Sequence, residues 1–67
     1  MITLMLNGEA REFEKSLSIH ELMLKLQLQP NLYLVELNEV ALFRSEWESQ
    51  KIKENDRIEI IRIVAGG

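Results

Sequence analysis

Arg57-Ile58-Glu59-Ile60-Ile61-Arg62-Ile63-Val64 is the stretch on which the fold of this 67-residue chain turns. Its β-branched content and two-residue period predict a strand. The apolar parity switches between Ile60 and Ile61, however, so apolar side chains point both ways, which predicts burial on both faces or a bulge. A strand buried on both faces belongs in the middle of a sheet. Glu54-Asn55-Asp56, just ahead of it, reads as the turn that leads in.

The rest of the chain supplies neighbours for that strand. At the N-terminus Ile2, Leu4 and Leu6 alternate with Thr3 and Met5, again at strand period, and Asn7-Gly8 follows at once. Asn-Gly accepts positive φ at both central turn positions, so residues 9 to 14 should return antiparallel, with Ala10 and Phe13 supplying apolar surface. Ser18 and Glu21 stand at capping-box spacing, with Leu17 and Leu22 as a hydrophobic staple. Ile19, Leu22, Met23 and Leu26 then form one apolar helical stripe, Glu21 and Lys25 an i, i+4 pair outside it, and Pro30 ends the helix because Gln29 is pushed out of α geometry. Tyr33 to Leu37 and Val40 to Phe43 read as a second hairpin about Asn38-Glu39. Ser45 and Glu48 repeat the capping pattern, so Ser45 to Ser49 should be a short helical turn that carries Trp47 toward the core.

Hairpin, helix, hairpin, short turn and final central strand give an order in which the last strand lies parallel to the first after a long crossover. This is the order of an α+β, β-grasp (ubiquitin-like) fold: a mixed four- to five-stranded sheet packed on one main helix, plus a short helical turn. One domain over residues 1–64 and a flexible tail over 65–67 are expected.

Composition narrows the function. Lys and Arg number 8 against 11 Asp and Glu, a formal charge of -3, whereas nucleic-acid binding needs clustered cations. Without cysteine there are no disulfides, thiolate metal sites or thiol nucleophiles, and no stretch approaches the ~20 apolar residues of a membrane helix. No metal site, no nucleic-acid or membrane partner and no bound cofactor are expected. The N-terminus has no signal-peptide pattern, so a cytoplasmic protein is expected. A nucleophile, base and orienting group at usable spacing are lacking, so the chain reads as a non-enzyme. What remains is the end, where Gly66-Gly67 offers a carboxylate on a residue without a side chain. Two such glycines arise by chance in only about 1 chain in 200.

At this point the residues resemble the ThiS family, the sulfur carrier proteins of thiamine biosynthesis, over nearly the whole chain. The matching segments are Leu6-Asn7-Gly8-Glu9, Leu37-Asn38-Glu39, Arg44-Ser45-Glu46-Trp47, Asp56-Arg57-Ile58-Glu59-Ile60 and Gly66-Gly67, with Arg44 to Trp47 the most discriminating. Asn55 departs from the family's usual Gly, and Ala65 from a frequent third Gly. Asn tolerates left-handed geometry, so the turn should survive. The resemblance implies that a ThiF-like adenylyltransferase transfers AMP from ATP to the Gly67 carboxylate. Sulfur from a donor protein then replaces AMP, and the resulting thiocarboxylate serves a ThiG-like thiazole synthase. Ala65 and Gly66 would thread into the partner. Two other functions are open: a molybdopterin-synthase small-subunit type of carrier, and a β-grasp interaction module without covalent chemistry.

A docking surface is expected on the sheet face away from the helix. If Ile2, Leu4 and Leu6 face the helix, Met5 points outward, and by parity Ile61 and Ile63 join it as an apolar patch near the tail. The alternative is that these three fill a two-sided core or pack a loop. His20, the sole histidine, reads as a solvated helix residue, Trp47 as core, and Glu9, Glu12 and Glu14 as a solvated acidic face that could steer a basic partner.

Overall fold

A computed structural model describes residues 1–64. Strand β1 (Ile2–Leu6) turns at Asn7-Gly8 into antiparallel β2 (Glu9–Phe13). Asn7 and Gly8 take φ of 49° and 83°, the doubly positive turn whose twist matches that of the strands it joins. Phe13 is buried, whereas Ala10 is exposed. Glu9 stands opposite Leu6 and Glu12 opposite Thr3, positions on different faces of the sheet, so the two carboxylates do not form the single acidic face expected.

Helix α1 (Ile19–Lys25) begins where its cap predicts. The Glu21 N–H donates to Ser18 Oγ at 3.0 Å, and the Ser18 N–H donates to Glu21 Oε1 at 2.9 Å. Ser18 is buried together with the staple residues Leu17 and Leu22, so these reciprocal bonds satisfy groups that would be costly to bury unpaired. The helix stops well before Pro30. Gln27 turns left-handed at φ 60°, and the N–H groups of Gln27 and Leu28 donate to the carbonyls of Leu24 and Met23, each at 3.0 Å. This is a Schellman closure built without glycine, and it returns Leu28 to the core. Pro30 instead opens a 3₁₀ turn, Pro30–Leu32.

Strands β3 (Tyr33–Leu37) and β4 (Val40–Leu42) form the second hairpin. Asn38 and Glu39 repeat the doubly positive turn, at φ of 49° and 72°. The following 3₁₀ turn, Arg44–Glu46, starts one residue before the expected Ser45. Glu46 rather than Glu48 reaches back, its Oε1 accepting from the Phe43 N–H at 2.8 Å. That phase sends Trp47 inward, where it is 2% exposed.

Strand β5 (Arg57–Arg62) completes a five-stranded sheet of order β2-β1-β5-β3-β4, parallel to β1 and antiparallel to β3. Its central place is as expected, but neither the bulge nor burial on two faces occurs. The register with β3 runs unbroken from Leu37 opposite Ile58 to Tyr33 opposite Arg62. Ile58 is 1% exposed against the helix side, while Ile61 on the other face is 41% exposed. The second face has no layer over it among the described residues, so the parity switch places apolar side chains in the open. Leu4, Leu6, Ile19, Leu22, Met23 and Ile58 form the centre of the core between sheet and helix.

The turn into β5 passes through Asn55 at φ 69°, a conformation that Asn tolerates better than most residues. The Asn55 N–H donates to the Thr3 carbonyl at 2.7 Å, and the Met5 N–H to the Asp56 carbonyl at 2.9 Å, which ties this turn to β1. Glu21 pairs not with Lys25 but with Lys51, at 3.6 Å. An isolated bridge between Ser18 and Lys51 brings that cation beside the cap.

The Glu21 carboxyl is held below the ordinary carboxylate range chiefly by the Ser18 backbone N–H, with desolvation opposing and the Lys51 charge assisting. A group whose pKa is depressed on folding contributes stability above its unfolded pKa and loses it as pH falls through the folded value. Glu21→Gln keeps a capping-box acceptor and removes the charge. Urea unfolding should therefore find the wild type more stable at neutral pH, with the gap closing as the pH drops below the carboxylate range. A gap that persists in acid would contradict this assignment.

Candidate functional site

The described backbone ends just past its central strand, β5. Beyond Arg62 the pairing continues for one residue, the Ile63 N–H donating to the Leu32 carbonyl at 2.8 Å, and Val64 then stands 83% exposed. The expected modification site Gly67 and the threading residues Ala65 and Gly66 lie outside the described residues.

Two turn asparagines hold the strand that leads there. The Asn7 N–H donates to the Ile58 carbonyl at 2.9 Å, and Asn7 Oδ1 accepts from the Ile60 N–H at 2.8 Å. At the other end, Asn38 Oδ1 accepts from the Arg57 N–H at 2.8 Å, and Asn38 Nδ2 donates to Asp56 Oδ1 at 3.0 Å. Arg57 also pairs with Glu39 at 3.3 Å. Each hairpin turn thus clamps β5 through a side chain whose local role is only to permit positive φ. That second role could not be found from the turn signal, because it needs the long-range pairing of β5 with β1 at Asn7 and with β3 at Asn38.

The open face of the sheet is built by register. Ile61 lies opposite Leu34, and Ile63 follows on the same side two residues on; Ile61, Ile63 and Leu34 are exposed at 41%, 42% and 55%. Sequence reading missed Leu34, although it sits two residues before Glu36 in a strand with one open face. Met5 is also exposed, but it stands opposite Ala10 and Arg57. Ile61 lies four residue steps along β5 from Arg57, about 13 Å of strand, with Glu59 between them on the same face. The structure therefore brings Ile61 and Ile63 together with Leu34 and leaves Met5 apart.

Other singled-out residues fall as follows. His20 is half-buried, and its backbone N–H donates to the Trp47 carbonyl at 3.1 Å. Trp47 is core, with the Arg44 guanidinium 5.7 Å from its ring centroid. Its Nε1 has no hydrogen-bond partner among the described residues. Among the described residues, no group of three or more His, Cys, Asp and Glu side chains is placed to hold a metal ion, and no helix is long and apolar enough to cross a membrane.

A mixed sheet centred on the terminal strand, closed by one helix and a crossover on a single face, defines a ubiquitin-like β-grasp protein. The chain belongs to the ThiS family, whose model matches residues 4–67. It is similar to the crystal structure of a thiamine biosynthesis protein, ThiS, from Geobacter metallireducens, with a TM-score of 0.89, 29% identity and coverage of 98% of this chain and 100% of the other. The solution structure of a thiamine biosynthesis protein from that organism matches with a TM-score of 0.81 at 29% identity, over 98% of this chain and 88% of the other. Two uncharacterized ycf40 proteins are also related. That of Trieres chinensis is 31% identical over 97% of this chain and 89% of its own length; that of Pyropia yezoensis is 32% identical over 98% and 93%.

The clamp on β5 can be tested apart from the turn. Asn7→Gly preserves positive φ but removes the acceptor for Ile60, and should cost about 1–2 kcal/mol in urea unfolding. Asn7→Asp retains an acceptor oxygen and should cost less. Equal losses in the two variants would mean that the Ile60 bond contributes nothing.

Proposed function

We propose that this protein is a sulfur carrier of thiamine thiazole formation, and that it is a substrate of other enzymes and not itself an enzyme. The observation that carries the reading is the family match over residues 4–67, which runs through Gly66-Gly67. The end-to-end likeness to a thiamine biosynthesis protein supports it.

The chemistry follows from the weakness of a carboxylate as an electrophile. The Gly67 carboxylate attacks the α-phosphorus of ATP bound by a ThiF-like adenylyltransferase, and pyrophosphate leaves. The acyl adenylate carries a good leaving group, so sulfide-level sulfur (HS⁻) delivered by the donor protein adds to the carbonyl carbon, the C–S bond forms and AMP departs. The resulting thiocarboxylate gives its sulfur to a ThiG-like thiazole synthase. Reactivity rides on the carrier terminus while its partners supply catalysis; ATP is theirs, and this chain needs no cofactor of its own. Glycine suits the end because a tail without Cβ atoms enters a narrow channel and takes backbone angles that other residues avoid. The reading places the protein in the cytoplasm, with its partners.

Incubation with ATP, a sulfide source and the adenylating enzyme of the same cell should raise the intact mass by about 16 Da, oxygen exchanged for sulfur, as the carrier chemistry requires. Gly67→Ala, or one residue added after Gly67, should abolish that gain without changing the unfolding midpoint. An unchanged mass for the wild type, with the enzyme active on a known carrier, would favour an interaction module.

The exposed cluster of Leu34, Ile61 and Ile63 is the surface we assign to docking, with Met5 as a separate outlying contact. Leu34→Asp should leave stability within about 1 kcal/mol, as expected of an exposed site, and should raise the KM for the carrier in ATP-to-pyrophosphate exchange with kcat little changed. An unaltered KM would remove this face from the docking surface.

A further inference from the structure

The pairing of β5 leaves part of one of its edges open. Odd-numbered residues direct their backbone groups to the β3 side: the Asn38 N–H donates to the Arg57 carbonyl at 2.7 Å and the Ile63 N–H to the Leu32 carbonyl at 2.8 Å, with unbroken register between them. Even-numbered residues face the β1 side, where the Ile58 carbonyl accepts from the Asn7 N–H. But β1 ends at Leu6, opposite Ile58. The Asn7 side chain takes the Ile60 N–H, and there the pairing stops. Among the described residues, the Ile60 carbonyl and both the N–H and the carbonyl of Arg62 have no hydrogen-bond partner. They form a row of acceptor, donor and acceptor along the last turnless stretch before the tail.

We propose that this flank is completed by an extended segment of the adenylating enzyme, which adds to the sheet as a strand alongside Ile60 to Arg62. The inference rests on the carrier reading above, in which Gly67 is the reacting residue. Only residues 65–67 separate Val64 from the reacting carboxylate, and three residues span at most about 11 Å when fully extended. An active site that closes around Gly67 therefore brings its entrance against the end of β5. Burying an unpaired backbone donor or acceptor costs about 1–3 kcal/mol, so the wall that covers this flank must answer its hydrogen-bonding row. An extended segment does so at the right spacing. On either side of the row it meets Ile61 on the open face and Arg62 on the other, where the guanidinium lies 5.9 Å from the Tyr33 ring centroid.

Amide hydrogen exchange tests this residue by residue. In the isolated chain the Arg62 amide should exchange freely while that of Ile61, bonded to β3, is protected. In the complex with the adenylating enzyme the Arg62 amide should slow by about tenfold or more, the worth of one added hydrogen bond. A second arm uses Arg62→Pro, which removes an N–H that no described residue accepts and so should fold, against Arg62→Ala, which keeps that N–H. The proline variant should raise the carrier KM in ATP-to-pyrophosphate exchange about tenfold over the alanine variant. If the proline chain does not fold, an ester bond in place of the Arg62 amide, made by chemical synthesis, removes the same donor.

Free exchange at Arg62 in an established complex, or equal KM values for the proline and alanine variants, would overturn the strand addition. Protection of Arg62 in the isolated chain, together with a doubled solution mass, would assign the flank to a second copy and overturn the proposed occupant. Absence of pyrophosphate exchange with the wild type strikes the carrier reading instead, so the two failures are distinct.

Discussion

The domain depends on the two-sided hydrogen bonding of its last strand. Odd-numbered residues of β5 bond toward β3, and Ile58 and Ile60 bond toward the β1 side, so the strand joins two hairpins that, among the described residues, otherwise have no sheet contact. Its partner β1 lies more than fifty residues away, as the bonds from Thr3 to Glu54 and from Asn7 to Ile60 illustrate. Such pairing requires that the whole crossover be closed first, which makes it expensive in chain entropy. Burial of Leu4, Leu6 and Ile58 over the helix offsets that cost on one face alone. The other face carries Leu34, Ile61 and Ile63 in the open.

Placing the terminal strand at the centre also has a mechanical consequence for the tail. Pairing on the β1 side reaches Ile60 and on the β3 side Ile63, so the stretch that leads to residues 65–67 is anchored by the body of the domain. The asparagine clamps strengthen the anchor at the start and the middle of β5: Asn38 at Arg57 and Asn7 at Ile60. The early end of β1 does the opposite work, freeing the backbone of the final residues on one side. Rigidity of position thus comes from the pairing and clamps along β5, and openness of the edge from the early end of β1.

Local signals were legible wherever the residues that make a feature lie within a few positions of each other. Asn7-Gly8, the Ser18 to Glu21 box and the left-handed tolerance of Asn55 all behaved as their chemistry dictates. Failures came where a distant partner chose between local options. Glu46 outcompeted Glu48 because the earlier phase buries Trp47. The helix closed at Gln27 because Leu28 had a core to return to. Glu21 found Lys51, across a bridge invisible in sequence, in place of Lys25.

The open face makes the same point for function. Parity put Met5, Ile61 and Ile63 on one side, but strand register, which no periodicity carries, exchanged Met5 for Leu34 as the neighbour of Ile61. The sequence by itself determined the order of elements, the turns and the helix start, because each follows from backbone sterics and side-chain reach over a few residues. Tertiary structure alone decided which strands share an edge, where β1 stops against β5 and which apolar side chains meet in the open. Those depend on long-range pairing that buries the most apolar surface over the helix, a quantity that belongs to the whole fold and to no segment of it.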